Sequence, residues 1–139
     1  MAAIVVGSHG SFSRELIKSA EMICGKQTNI GCATFHAGES VDDLVVKYEE
    51  IISKLDCKDG VLFIVDLFGG SPYNAASRIA IKDKNMDIVT GINLPIALEL
   101  FGMHHFSSVD ELVKIALASS AATIKSFKET MKDLKEEDL

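Results

Sequence analysis

The chain has 139 residues, a formal net charge of −6 at pH 7 and a hydrophobic fraction of 47%. This length predicts a single domain over residues 1–139, and the hydrophobic fraction suits one buried core and excludes a disordered chain. The acidic excess argues against a nucleic-acid partner, which requires a basic patch. No apolar run approaches the roughly 20 residues of a membrane span, and the first residues lack the basic segment of a secretion signal, so a cytoplasmic protein is expected.

The sequence contains no pattern typical of a metal site or a disulfide framework. Cys24, Cys32 and Cys57 are odd in number, lie far apart and form no CxxC pair, which predicts reduced thiols. His104 and His105 are adjacent, so on a regular element their side chains point to different faces. No metal and no other cofactor are therefore expected.

The first motif is an apolar run, Ile4–Val6, that ends in a glycine-flanked tip carrying His9. Apolar residues at helical spacing follow, so the pattern predicts a strand, a tight turn and a helix. His9 then lies at the carboxyl end of a strand, where open α/β sheets bind ligands. Gly10 lets the backbone approach a ligand, and Ser11 is expected to cap a helix whose free N–H groups favour an anion. Histidine suits proton or phosphoryl transfer, although an exposed turn histidine explains this motif equally well.

The middle of the chain predicts two more strands. One covers Asn29–Phe35 and leads to a helix over Val41–Leu55, which begins with a capping box at Ser40. The other is the continuous apolar run Val61–Val65, which is typical of a parallel strand buried on both faces. It stops at Asp66, an acid that is costly to bury unless it is paired or hydrogen-bonded. Asp66 is therefore either part of a functional site or a structural cap of the next loop.

A glycine-rich loop, Gly69-Gly70-Ser71-Pro72, follows the third strand. The two glycines permit an unusual loop, Ser71 suits an N-cap, and Pro72 suits the first helical position. This loop and the helix after it predict a second pocket for an anion. It lacks the GxxxxGK[ST] pattern of a nucleotide-binding P-loop, and the chain contains no GxGxxG motif.

The last third of the chain predicts one more strand and two helices. The strand covers Asp87–Ile92, and a short helix covers Pro95–Phe101. The last helix covers Leu112–Leu117 and is preceded by a capping box at Ser108. The periodic pattern weakens after Ser119, where an extended stretch over residues 119–127 is one interpretation. Residues 128–139 are highly charged, which predicts a frayed or helical surface segment.

Strands and helices alternate four times, which predicts an α/β fold with an open, mostly parallel, doubly wound sheet. The expected strand order is the flavodoxin-like 2-1-3-4-5, in which the fifth is an antiparallel edge strand from the C-terminal region. Strands one and three are neighbours in this order, so His9 and Asp66 should meet beside Ser71, with Asn93 in the loop after strand four. A carboxylate beside a histidine fixes its tautomer and raises the basicity of the free ring nitrogen.

Four stretches carry a family resemblance: IVVGSHG at 4–10, AEMICG at 20–25, GVLFIVDLFGGSPYNAASRIA at 60–80 and TGINLPIALE at 90–99. With them, the chain resembles the IIA domain of the mannose-family sugar phosphotransferase system. The similarity runs over nearly the whole chain and is weakest after Gly102. The GGSPxNAASR stretch is long and therefore far more specific than a lone glycine motif.

The resemblance implies a cytoplasmic phosphotransferase with a phosphohistidine intermediate. His9 would accept a phosphoryl group from phosphorylated HPr and pass it to a IIB domain, and the sugar would be phosphorylated during uptake through membrane subunits. By position, Asp66 would orient His9, and Ser71 would lie in the loop beside it. The resemblance also implies a homodimer that exchanges a C-terminal strand from residues near 119–127.

Two other functions remain open at this point. The phosphocarrier subunit of dihydroxyacetone kinase resembles this fold and also uses a histidine in the first loop. Its third-strand loop carries a GSA-type stretch, whereas this chain has Gly70-Ser71-Pro72. The other alternative is a regulatory module that senses the phosphorylation of HPr without taking part in sugar transport.

Overall fold

A computed structural model describes the backbone of residues 1–137 and the side chains of residues 1–134, so the predicted segment 128–139 is described only to residue 137. The elements in chain order are β1 (Ala3–His9), α1 (Phe12–Cys24), β2 (Ile30–Phe35), α2 (Val41–Ser53), β3 (Val61–Val65), α3 (Gly70–Ala80), β4 (Met86–Val89), α4 (Leu94–Met103), α5 (Val109–Ser119), a 3₁₀ turn (Ser120–Thr123) and α6 (Phe127–Glu137). Within these described residues, no helix combines the length and the apolarity that crossing a membrane requires.

The sheet has four parallel strands in the order β2-β1-β3-β4. This order confirms the predicted α/β fold and the predicted neighbourhood of strands one and three. Gly7 of β1 lies opposite Val65 of β3 in the strand register. His9 and Asp66, which follow these paired residues, therefore leave the sheet at the same edge.

Helices cover both faces of the sheet, so its two central strands are buried on both sides. This double burial explains the continuous apolar runs in the sequence, since neither face of β1 or β3 meets water. One half of the core lies between the sheet and α1, α4 and α5, and it includes Ile4, Val6, Leu16, Leu62, Ile64, Ile96, Leu100 and Leu112. The other half lies against α2 and α3, and it includes Val5, Leu44, Tyr48, Phe63, Ala75 and Ala76.

The predicted fifth strand is not part of this sheet, which has four strands within residues 1–137. Residues 120–123 instead form the 3₁₀ turn, and Ile124 is extended but 85% exposed before α6 begins. A strand exchanged with a second copy would not form within a single chain. The exchange therefore remains a prediction.

Element boundaries differ from the prediction by up to three residues. The strand predicted to reach Ile92 ends at Val89, because Gly91 adopts a φ of 73° and turns the chain out of the sheet. The helix predicted over Pro95–Phe101 extends over Leu94–Met103. The helix predicted to end at Leu55 ends at Ser53.

Candidate active site

His9 and Asp66 lie side by side at the carboxyl edge of the sheet. Oδ2 of Asp66 accepts a hydrogen bond from the backbone N–H of His9 at 2.9 Å and another from its ring Nδ1 at 2.8 Å. A carboxylate oxygen can only accept, so Nδ1 carries a proton, and in the neutral imidazole the lone pair is then on Nε2. The His9 side chain is 47% exposed and that of Asp66 14%. The structure thus brings the two predicted residues together, with the imidazole in one tautomer and accessible from solvent.

Two further groups bracket the imidazole of His9. The ring of Phe35, at the end of β2, stands edge-on to it with the centroids 6.0 Å apart and the planes at 88°. The carbonyl of Phe35 also accepts a hydrogen bond from the N–H of Gly10 at 2.7 Å. On another side lies Gly70, where a β-carbon would stand 3.2 Å from Cε1 of His9 and 3.5 Å from Nε2. Sequence patterns gave no indication of the contact with Phe35, because it depends on the register of β1 and β2.

The glycine-rich loop enters α3 through two consecutive left-handed residues. Gly69 has a φ of 79° and Gly70 a φ of 77°, a region that residues with a side chain rarely adopt. Gly69 is the N-cap of α3, so the prediction that Ser71 caps this helix is wrong by two residues. Ser71 lies within the first turn instead, because the two glycines let the chain turn directly into the helix. The predicted anion-binding residues Gly69, Gly70 and Ser71 therefore all lie at the start of α3.

The start of α1 is capped by a different serine from the one predicted. Ser11 occupies the N-cap position but makes no side-chain cap bond, since its backbone lacks the extended conformation that such a cap requires. The buried hydroxyl of Ser8 accepts from the N–H of Ser13 at 2.7 Å instead. Ser13 in turn donates its hydroxyl to the carbonyl of Ala33 at 2.9 Å. These bonds join β1, α1 and β2 directly beneath His9.

Asn93 has a structural role in the neighbouring loop. Its Oδ1 accepts from the N–H of Ile96 at 3.1 Å and caps α4, while its Nδ2 donates to Oγ1 of Thr123 at 2.9 Å. Its side chain is thus bonded to α4 and to the 3₁₀ turn, and not to His9 or Asp66. The expectation that this loop would contribute to the same site is not met by its hydrogen bonds.

The three other histidines lie in different surroundings. His36 and His105 are exposed, whereas His104 is fully buried. Nδ1 of His104 hydrogen-bonds to the carbonyl of Ala2 at 2.8 Å, and burial lowers its pKa from the ordinary value. Among the described residues, no group of three or more His, Cys, Asp and Glu side chains is placed to hold a metal ion.

A comparison with known protein families identifies the family of this chain. The family model described as "PTS system fructose IIA component" matches residues 3–117. The chain belongs to the IIA components of the sugar phosphotransferase system (PTS). The match confirms the predicted family. It also supports, at a general level, a protein that takes part in phosphoryl transfer, the first of the functions considered from the sequence.

Individual relatives agree with this family. The chain is 42% identical over 127 residues to the PTS mannose-specific EIIAB component of Escherichia coli strain K12. The matching region covers 91% of this chain but only 39% of that longer protein. The chain is 33% identical to the PTS fructose-specific EIIA component of Bacillus subtilis strain 168, over 97% of this chain and 92% of that protein. The crystal structure of EIIA from Streptococcus agalactiae matches with a TM-score of 0.84 at 30% identity, over 93% of this chain and 99% of the other.

Proposed function

We propose that this IIA component carries a phosphoryl group on Nε2 of His9, taking it from phosphorylated HPr and passing it to a IIB domain for sugar uptake. The observation that carries the proposal is the 2.8 Å hydrogen bond between Nδ1 of His9 and Asp66. It occupies one ring nitrogen with a proton and leaves the other as the nucleophile. Relatives named as mannose-specific, fructose-specific and sorbose-specific components support a sugar as the final acceptor.

The transfer is a displacement at phosphorus. The lone pair of Nε2 attacks the phosphorus of the donor phosphohistidine, a new P–N bond forms, and the electron pair of the broken P–N bond returns to the donor imidazole. With a phosphoryl group on Nε2 and a proton on Nδ1, the imidazole ring of His9 carries a positive charge, which the adjacent carboxylate of Asp66 stabilises. Catalysis then consists mainly of positioning and electrostatic stabilisation. The same displacement by a nucleophile of the IIB domain completes the cycle.

Two helix starts supply donors for the phosphoryl oxygens in this proposal. Gly10 and Ser11 precede α1, where the N–H of Gly10 is bonded to Phe35 and that of Ser11 remains for a ligand. Gly69 is the N-cap of α3, and Gly70 and Ser71 form its first turn. The first N–H groups of a helix have no partner within the helix and attract anions. The cytoplasmic location, the indirect link to membrane subunits and the homodimer belong to the same proposal, and the family resemblance supports them.

Labelling with radioactive phosphorylated HPr tests the assignment of His9. The variant His9→Asn keeps an N–H donor near the position of Nδ1 but has no nucleophilic ring nitrogen, so we expect it to take up no label. The double variant His36→Gln, His105→Gln is the matched control and should label like the wild type, because both side chains are exposed. His104 is left unchanged in the control since it is buried. Label on another residue of the His9→Asn protein would contradict the assignment.

A further inference from the structure

Tyr48 is a fully buried polar residue for which the transfer itself has no use. It lies on α2 with no exposed surface, and its ring packs against Phe63 with the centroids 5.1 Å apart. Its hydroxyl donates to the carbonyl of Pro72 in the first turn of α3, at 3.0 Å. A phenylalanine at this position would fill nearly the same space and would bury no polar group. The hydrogen bond to Pro72 is therefore the interaction that a tyrosine makes here and a phenylalanine cannot.

Gly7 in the central strand β1 makes room for the hydroxyl of Tyr48. A β-carbon at Gly7 would lie 1.9 Å from the phenol oxygen and 2.9 Å from Cζ, distances that no side chain can occupy. Glycine within a strand is unfavourable unless another group needs the space. The phenol of Tyr48 is that group, and it passes over β1 to reach α3.

The bond to Pro72 acts close to His9. Gly70, two residues earlier, packs against the imidazole, and neither Gly69 nor Gly70 has a side chain to hold the loop in place. The loop is fixed instead at its two ends. At one end Oδ1 of Asp66 accepts from the N–H of Leu67 at 3.0 Å, and at the other Tyr48 holds the carbonyl of Pro72.

The phenol remains a hydrogen-bond donor at physiological pH. Burial raises the pKa of Tyr48 well above its ordinary value, and the negative charge of Asp66 raises it further. The bond to Pro72 is therefore not lost by ionisation in the range where the protein works.

We propose that Tyr48 is a positioning residue for phosphoryl transfer, whose hydrogen bond to Pro72 fixes the first turn of α3, and with it Gly70 and Ser71, against the imidazole of His9. This inference rests on the proposed function of His9. Tyr48 would set the geometry of the glycine-rich loop from the buried side, without touching the phosphoryl group or its donor.

The variant Tyr48→Phe tests the inference, since it removes one oxygen and keeps the ring. We expect the maximal rate of His9 labelling at saturating phosphorylated HPr to fall about tenfold, because small misplacements at a reacting centre are costly. The half-saturating concentration of HPr should stay unchanged, because the surface is unaltered. In amide correlation spectra of the unphosphorylated protein, the signals of Gly69, Gly70 and Ser71 should shift or broaden.

Val109→Ala is the control for lost stability. Val109 is buried at the start of α5 and contacts the position of Gly60 at the opposite edge of the sheet. It should lower the melting temperature while leaving the labelling rate and the three amide signals as in the wild type. The inference is overturned if Tyr48→Phe transfers at the wild-type rate with unmoved signals, or if Val109→Ala slows transfer equally.

A second variant, Gly7→Ala, keeps the hydroxyl but pushes the phenol away from Pro72. It should reproduce the slowing and the amide shifts, and combining it with Tyr48→Phe should cost less than the sum of the two. If Gly7→Ala does not fold, Tyr48→Phe alone decides. If the wild type takes up no label at all, the proposed function fails. The inference about Tyr48 is then tested by the amide signals alone, and it is overturned if Tyr48→Phe leaves them unmoved.

Discussion

Asp66 controls both the backbone and the ring of His9 through one oxygen atom. Oδ2 accepts from the backbone N–H and from Nδ1, while Oδ1 accepts from the N–H of Leu67. All three partners are donors, so only a group with two acceptor oxygens satisfies them together. The carboxylate thus bonds both to the loop and to the imidazole. These bonds support its role as a structural cap, and its part in a functional site stays a prediction.

The variant Asp66→Asn separates charge from shape. Its single oxygen can face His9, but its amide group then meets the N–H of Leu67 donor to donor, so we expect a loss of stability of about 1 kcal/mol. Phosphoryl transfer should slow by roughly 10²-fold or more, as for other catalytic histidines that lose their orienting partner. Rapid-quench labelling of His9 together with a thermal melt measures both effects. Wild-type transfer in a destabilised variant would reduce Asp66 to a structural cap.

At the scale of the helices and strands, residue preferences correctly predicted a helix start wherever the capping residue lies close to it in sequence. The serine caps predicted for α2 and α5 are present, because Ser40 and Ser108 each accept from a backbone N–H three residues later. The prediction failed at the two helix starts of the site. There the cap comes from Ser8, on the far side of a turn, or from a glycine in the left-handed region. Such caps depend on the path of the whole turn, which residue preferences do not specify.

In the C-terminal segment, the frayed or helical surface segment predicted over residues 128–139 is helical as far as residue 137, whereas the fifth strand predicted near residues 119–127 does not form within the described chain. The apolar residues of this region are spaced like one helical stripe yet lie on the surface: Ile124 is 85% exposed, Phe127 79%, Met131 41% and Leu134 49%. Among residues 1–137, no strand pairs with the outer edge of β4. The spacing of these apolar residues therefore does not specify whether they pair with a sheet edge or line a surface helix.

An open sheet edge and exposed apolar side chains both favour association with another chain. We therefore expect a homodimer, with a dimer mass in light scattering at micromolar concentration. Ile124→Asp should shift the protein toward the monomer, because it places a charge in the segment predicted to be exchanged. As a control, Ser19→Asp adds the same single negative charge at an exposed position on α1 and should leave the mass unchanged. A monomer mass for the wild type would contradict the prediction.

At the scale of the whole molecule, the buried His104 links stability to pH. Its backbone carbonyl accepts from the N–H of Ala2 at 3.0 Å and its Nδ1 donates to the carbonyl of Ala2, so it joins the end of α4 to the start of β1. Nε2 is buried and has no hydrogen-bond partner among the described residues. Burial, the largest cause, lowers the pKa of His104 below its ordinary value of 6.5. The folded protein therefore keeps this ring neutral at a pH where the unfolded chain binds a proton.

The lowered pKa of His104 predicts how the stability of the folded protein changes with pH. The contribution of His104 to stability should be complete above about pH 6.5 and should decline as the pH falls below that value, because the unfolded state then takes up the proton first. His104→Asn keeps an N–H donor for Ala2 but does not titrate. Thermal melts from about pH 8 to about pH 5 should give a flatter pH profile for this variant than for the wild type. Parallel profiles would show that His104 has no part in the pH dependence.

The central place of β1 in the sheet also matters while the protein is being made. β1 lies between β2 and β3, and the bond from His9 to Asp66 spans 57 residues of chain. At the usual synthesis rate of about 5–20 residues per second, the ribosome adds that length in roughly 3 to 11 s. During this time the apolar nascent strand has no β3 to pair with and is a natural client for chaperones. The imidazole acquires its orienting carboxylate only after the third strand has emerged from the exit tunnel.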